Sequence, residues 1–166
     1  LLSLIVNKLG DSDTSVISFE MSCLRKLLEA HPRMGRVVFR ELERFAYRPN
    51  LPERAQYYAV CAMSTVECES AEMAGEMMDA YLGMFEAVIS RGNDRKTVSA
   101  VLRGMKRAMS QLDTSVKFDQ SRVKALFKLI YTSPNSSVAF EALSLASTLV
   151  SKLGVKQDRF FERTLS

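Results

Sequence analysis

Residues 70–90 read SAEMAGEMMDAYLGMFEAVIS. Met73, Met77, Tyr81, Met84 and Val88 recur at steps of three and four, so at 3.6 residues per turn they form one stripe. Ser70 stands where an N-cap belongs, and Arg91-Gly92-Asn93 breaks the chain at the other end. The segment predicts one long amphipathic helix whose methionine stripe packs a core. A methionine-lined partner groove is the less economical reading, because the spacing already accounts for the stripe.

The same period runs outward in both directions. Toward the N-terminus, Pro52 opens a helix expected to reach Glu67. Tyr47-Arg48-Pro49-Asn50-Leu51-Pro52 before it is too proline-rich to be helical. A helix from about Arg33 to Phe45 is expected to bury Met34, Val37, Val38 and Leu42, and His31-Pro32 separates it from a stripe of Ile17, Met21, Leu24 and Leu28. His31 is expected to cap helix-end carbonyls. Asp11 to Ser15 supplies capping oxygens, and Gly10 suits the left-handed position after a first helix ending at Leu9.

Toward the C-terminus, residues 94–112 carry Val98, Val101, Leu102, Met105 and Met109 on one face. After a link over 113–118, Asp119 caps a helix with Val123, Leu126, Phe127 and Ile130. Ser133-Pro134-Asn135 turns into another bearing Val138, Ala142, Leu145, Leu149 and Leu153, and residues 158–165 begin a ninth. The fold class is therefore all-α: an irregular HEAT/armadillo-like solenoid of about eight or nine helices. The count and length of the helices support stacking. No sequence repeat stands out at that period, so an irregular bundle stays open. Residues 1–166 read as a single helical-repeat segment, and the apolar start Leu1-Leu2-Ser3-Leu4-Ile5-Val6 reads as the tail of a helix, as in a fragment of a longer protein.

Composition bounds the chemistry. The 166 residues are 47% hydrophobic, 25% charged and 8% aromatic, with seven glycines and four prolines, which is globular. No run is long and uncharged enough for a membrane span. Cys23, Cys61 and Cys68 form no CxxC pair. If Cys61 and Cys68 share a helix, rise alone separates them by about 10 Å, too far for a disulfide. One histidine, His31, leaves no zinc site and no triad with a recognisable nucleophile elbow. Phosphate-cradling glycine motifs are absent from the sequence. The expectation is a non-enzyme with no cofactor, no metal and no small-molecule ligand.

Net charge is +4, unevenly spread. Residues 55–90 contain six acidic and no basic residues, whereas 91–128 contain ten basic and three acidic. Glu69, Glu72 and Glu76 fit a solvated acidic face better than a di-metal site. Arg36, Arg40 and Arg44 recur every four residues and are expected to form one exposed ridge, with Arg103, Lys106 and Arg107 clustering similarly. Each cluster fits either solubilising charge or sequence-independent phosphate contact. No aromatic residue interleaves them as base stacking would require. Structured RNA, rather than base-specific DNA, is the nucleic acid they suit.

One run goes beyond periodicity. Arg48-Pro49-Asn50-Leu51-Pro52-Glu53-Arg54-Ala55-Gln56-Tyr57-Tyr58-Ala59-Val60 resembles the RPN…RAQYYA signature of the CCAAT-binding-factor family, and other matches follow in the same order. Val6 to Asp11 is similar to its VNKLGD. His31-Pro32 with Met34, then Val37-Val38 and Glu41 to Glu43, resembles HPNM…VV…EVE. Ala100 to Ala108 is similar to ALLTGVNRA, and Asp158-Arg159-Phe160-Phe161 to DRFY. Departures are Arg103 and Lys106 in place of Thr and Asn, Phe39 to Arg40, and the link Glu67 to Ala71.

The resemblance covers nearly the whole chain. It implies a scaffold of the nucleus and nucleolus in large ribosomal subunit assembly, bound to a second nucleolar complex protein and to the large-subunit precursor particle; contact with precursor RNA is the expectation of the basic clusters. The alternatives are a CCAAT-box transcription factor and a generic solenoid adaptor that binds protein only. Arg48, Asn50, Arg54, Gln56, Tyr57 and Tyr58 are expected to hold the loop-to-helix junction, with direct partner contact as the alternative. Tyr57 and Tyr58 point about 100° apart on a helix, so one of them is expected to be fully buried.

Overall fold

A computed structural model describes residues 1–92, 95–112 and 136–152. The helix expected from Asp119, the link before it and the ninth helix lie outside the described residues. Those described form seven α-helices and no strand: α1 (Leu2–Asn7), α2 (Thr14–Ala30), α3 (Gly35–Ala46), α4 (Glu53–Met63), α5 (Ala71–Ser90), α6 (Arg95–Gln111) and α7 (Ser136–Lys152). Short 3₁₀ turns over Lys8–Gly10 and Pro32–Met34 lead out of α1 and into α3.

The caps follow local chemistry. Asp13 accepts the backbone N–H of Ser15 at 2.8 Å at the start of α2, and that bond, with the Ser15 hydroxyl, holds the Asp13 carboxyl below its ordinary value. Ser70 accepts from the Met73 N–H at 3.1 Å at the start of α5. Such caps contribute about 1 kcal/mol each. Gly92, past the end of α5, takes φ 69°.

Several expectations change. Gly10 is not left-handed: it closes the 3₁₀ turn, facing the Phe45 ring and the Ala55 methyl. Pro52 caps α4 rather than opening it, and α4 ends at Met63, short of Glu67. Cys61 and Cys68 therefore do not share a helix; all three cysteines are free and half-buried. His31 is exposed, and its backbone N–H, not its ring, bonds the Leu27 carbonyl at 2.8 Å. Val37 is 52% exposed, while its neighbour Phe39 is buried in its place.

The core forms where α3, α4, α5 and α6 meet. α5 packs along α6, α3 along α4, and α4 along α6; α1 touches α3, and α7 touches α6. The predicted stripes of α5 and α6 are buried at every position, and each large side chain so removed from water contributes about 1.5–3 kcal/mol. In α7, Ala142 and Leu145 of the expected stripe are buried. Small residues allow two close approaches. Ala55, Ala59 and Ala62 are buried on α4, and Gly104 of α6 lies under the Tyr81 ring of α5, where a Cβ would come within 2.3 Å of Cζ. Tyr81 also meets Phe39 edge-on at 5.7 Å.

Candidate interaction site

The signature run occupies the loop between α3 and α4 and the first two turns of α4. Asn50 takes φ 60°, a left-handed turn conformation that asparagine tolerates better than most residues. The Arg48 guanidinium lies over the Phe45 ring at 5.0 Å. Arg54 reaches back forty residues, donating to the Ser12 carbonyl at 3.1 Å and the Thr14 hydroxyl at 3.0 Å while lying over Tyr58. Gln56, 4% exposed, donates to the Ala46 carbonyl at 3.2 Å and so satisfies a last-turn acceptor of α3. Tyr57 and Tyr58 meet edge-on at 5.4 Å; neither is fully buried, contrary to expectation, because each lies across the other on the surface of α4.

These contacts explain why the matched stretches occur together. The Val6–Asp11 turn buries Val6 and Leu9 and packs on α4, where Arg54 ties down the chain just beyond it. Arg107, in the stretch resembling ALLTGVNRA, donates to the Ser64 carbonyl at 2.7 Å and holds the C-terminal end of α4. Three separated stretches thus converge on one helix.

The basic clusters are rearranged by the fold. Arg36 pairs with Glu76 at 3.0 Å and Glu72 at 3.5 Å, and Arg40 pairs with Glu76 at 3.3 Å. Arg44 turns to Glu41 at 3.0 Å. The three guanidinium groups stay at the surface as expected, but Arg36 and Arg40 form a seam between α3 and the acidic face of α5, and Arg44 pairs within α3. Glu69 precedes α5 and does not share that helix face. Glu43, half-buried beside the seam, has its carboxyl pushed up by desolvation, with Arg40 opposing and Glu76 adding to the shift. Of the second cluster, Arg107 serves as the clasp on α4. Arg103 and Lys106 are exposed and form no ion pair with a described residue.

Arg103 and Lys106 line a groove of about 420 Å³ between α6 and α7, with Leu102, Met109 and Leu145 at its floor and Phe140, Glu141 and Ser144 on the α7 wall. Phe140 is 73% exposed. It lies 37 positions from Arg103, and no local spacing signals their meeting. On its other side the Arg103 charge reaches Cys61 and Tyr57 of α4. Burial raises the Cys61 thiol, with Tyr57 and Arg103 acting the other way. Among the described residues no three His, Cys, Asp or Glu gather as metal ligands, and no helix is long and apolar enough to cross a membrane.

No protein-family model matches the chain. Among curated proteins it is 30% identical over 164 residues to human CCAAT/enhancer-binding protein zeta, covering 97% of the chain and 16% of that protein. It is 27% identical over 168 residues to nucleolar complex protein 1 of Drosophila melanogaster, covering 97% of the chain and 14% of that protein. Ribosome biogenesis protein NOC1 of Chaetomium thermophilum is 26% identical over 203 residues, covering 99% of the chain and 19% of the relative. The chain thus spans less than a fifth of the length of each of these relatives.

Proposed function

The chain belongs to the CCAAT-binding-factor-like family that takes in CCAAT/enhancer-binding protein zeta and nucleolar complex protein 1, and from that premise we propose that it is a non-enzymatic helical scaffold in large ribosomal subunit assembly, working in the nucleolus. The carrying observation is similarity over nearly the whole chain to proteins named for the nucleolus and for ribosome biogenesis. On this reading the chain is one helical-repeat segment that docks a second nucleolar complex protein and the large-subunit precursor particle.

The architecture of the scaffold is an irregular HEAT/armadillo-like array. Contacts between alternate helices support it: α1 on α3, α2 on α4 and α4 on α6. Such stacking builds extended surfaces from elements that cannot bury their faces alone. The tied-down signature residues suit a rigid scaffold, since Arg54, Gln56 and Arg107 spend their donors inside the molecule.

Affinity purification of the full-length protein from its own cells, with and without ribonuclease, tests the proposal. Large-subunit precursor RNA and a nucleolar partner retained after ribonuclease are the expected result. Recovery of CCAAT-containing chromatin or of transport factors without ribosomal precursors would overturn it in favour of a transcription factor or a generic adaptor.

A further inference from the structure

We propose that the groove between α6 and α7 binds single-stranded RNA, with Arg103 and Lys106 on its phosphates and Phe140 under a base. The choice of RNA rests on the assembly reading above; the site itself rests on geometry.

Three observations carry it. First, these two cations are unpaired among the described residues, unlike the others singled out in the sequence. Arg36, Arg40 and Arg44 are matched by Glu72, Glu76 and Glu41, and Arg107 is spent on the Ser64 carbonyl. Arg103 and Lys106 stand three apart on α6, neighbours on one helix face, so together they can serve adjacent phosphates.

Second, the fold supplies the aromatic that the sequence lacked near its basic clusters. Phe140 lines the same groove and is 73% exposed, leaving a face for base stacking.

Third, the groove suits a strand better than a docked helix. A helix-binding groove presents several exposed apolar pockets at helical spacing. Here Leu102, Met109 and Leu145 are already at least nine-tenths buried in the core, and Phe140 alone projects. Glu141 offsets one of the two positive charges; its carboxylate is an acceptor for base amino or ribose hydroxyl groups.

Fluorescence anisotropy of labelled oligouridylate, titrated with the full chain, tests the site, with an oligoglutamate peptide and a DNA duplex as parallel probes. Phe140→Ala is expected to weaken oligouridylate binding about 5- to 150-fold at fixed salt and leave the salt slope intact. Arg103→Gln/Lys106→Gln is expected to flatten the slope of log K against log salt by about 1.4, from two phosphates at roughly 0.7 each. All three positions are solvent-facing, so circular dichroism and melting should match the parent.

Oligouridylate binding unchanged by both variants overturns the site, as does tighter binding of oligoglutamate or of the duplex. The assembly reading fails separately. Precursors recovered equally by parent and Phe140→Ala protein, with unchanged oligouridylate binding, would sink the groove alone. Groove-dependent RNA binding by a protein that recovers no precursors would sink the assembly role alone.

Discussion

Gly104→Ala is the sharpest test of how α5 and α6 are joined. In an exposed helix interior this substitution stabilises by about 1 kcal/mol. Here the new methyl would stand 2.3 Å from Tyr81 Cζ, 2.4 Å from Cε1 and 2.7 Å from the hydroxyl. Non-bonded carbons settle at about 3.5 Å or more, so roughly 1.2 Å must be found. Tyr81 has no exposed surface into which to retreat, and Phe39 holds its ring from the side. The helices must therefore part. Overpacking costs about 1–3 kcal/mol, and a rigid buried ring places this case at the upper end. After the propensity gain, net destabilisation is about 2 kcal/mol, or roughly 4–8 °C in Tm for a chain of this size. Thermal melting by circular dichroism reads it directly. A variant that melts at or above the parent would refute the packing argument. The Tyr81→Leu background isolates the cause: without ring atoms to strike, Gly104→Ala should turn neutral or stabilising, giving a coupling of about 2–3 kcal/mol. An undiminished penalty there would mean that Tyr81 is not the obstacle.

Tyr81→Phe is expected to raise Tm, because the buried hydroxyl has no hydrogen-bond partner among the described residues and such groups cost about 1–3 kcal/mol; a fall in Tm would show that the hydroxyl is satisfied. Arg36→Glu/Arg40→Glu sets like charges against Glu72 and Glu76 and should lower stability by about 1 kcal/mol, with Glu76→Arg restoring most of it in the triple variant. Absence of rescue would mean that the α3–α5 seam contributes nothing. Glu43→Gln should be at least as stable as the parent at neutral pH, by under about 1 kcal/mol after screening. Since burial raises the folded Glu43 carboxyl above 4.5, the folded state holds that proton more tightly, and stability is lost as pH rises through this window. The difference between variant and parent should therefore vanish in urea titrations well below pH 4.5, and a difference that grows there would reverse the sign of the argument.

Periodicity located the α5 and α6 stripes residue by residue because each element is long and has one buried face. It could not decide between Val37 and Phe39, which lie in one apolar run; burial there depends on Tyr81, more than forty positions away. The ion pairs along the arginine ridge were out of reach for the same reason. Arg36, Arg40 and Arg44 do share a spacing, but whether a guanidinium is free depends on what α5 brings opposite. Glu76 stands 36 and 40 positions from its partners. Local caps at Asp13 and Ser70 were legible because their donors lie two or three residues on. The groove was illegible, since its aromatic and its cations belong to different helices.

The α6 stretch 100–108 shows how these two kinds of residue divide. Gly104 and Arg107, which resemble the family's pattern, both serve the packing: buried Gly104 makes room for Tyr81, and exposed Arg107 clasps the end of α4. Arg103 and Lys106, which depart from that pattern where Thr and Asn are usual, face solvent and line the groove. Neither departing side chain makes a hydrogen bond or ion pair with a described residue, so either position is expected to change without disturbing the fold. Packing through Gly104 and the Arg107 clasp leaves Arg103 and Lys106 available for binding chemistry. The packing and the groove are thus separable properties of a single helix, and variants at 103 and 106 should alter binding without altering Tm.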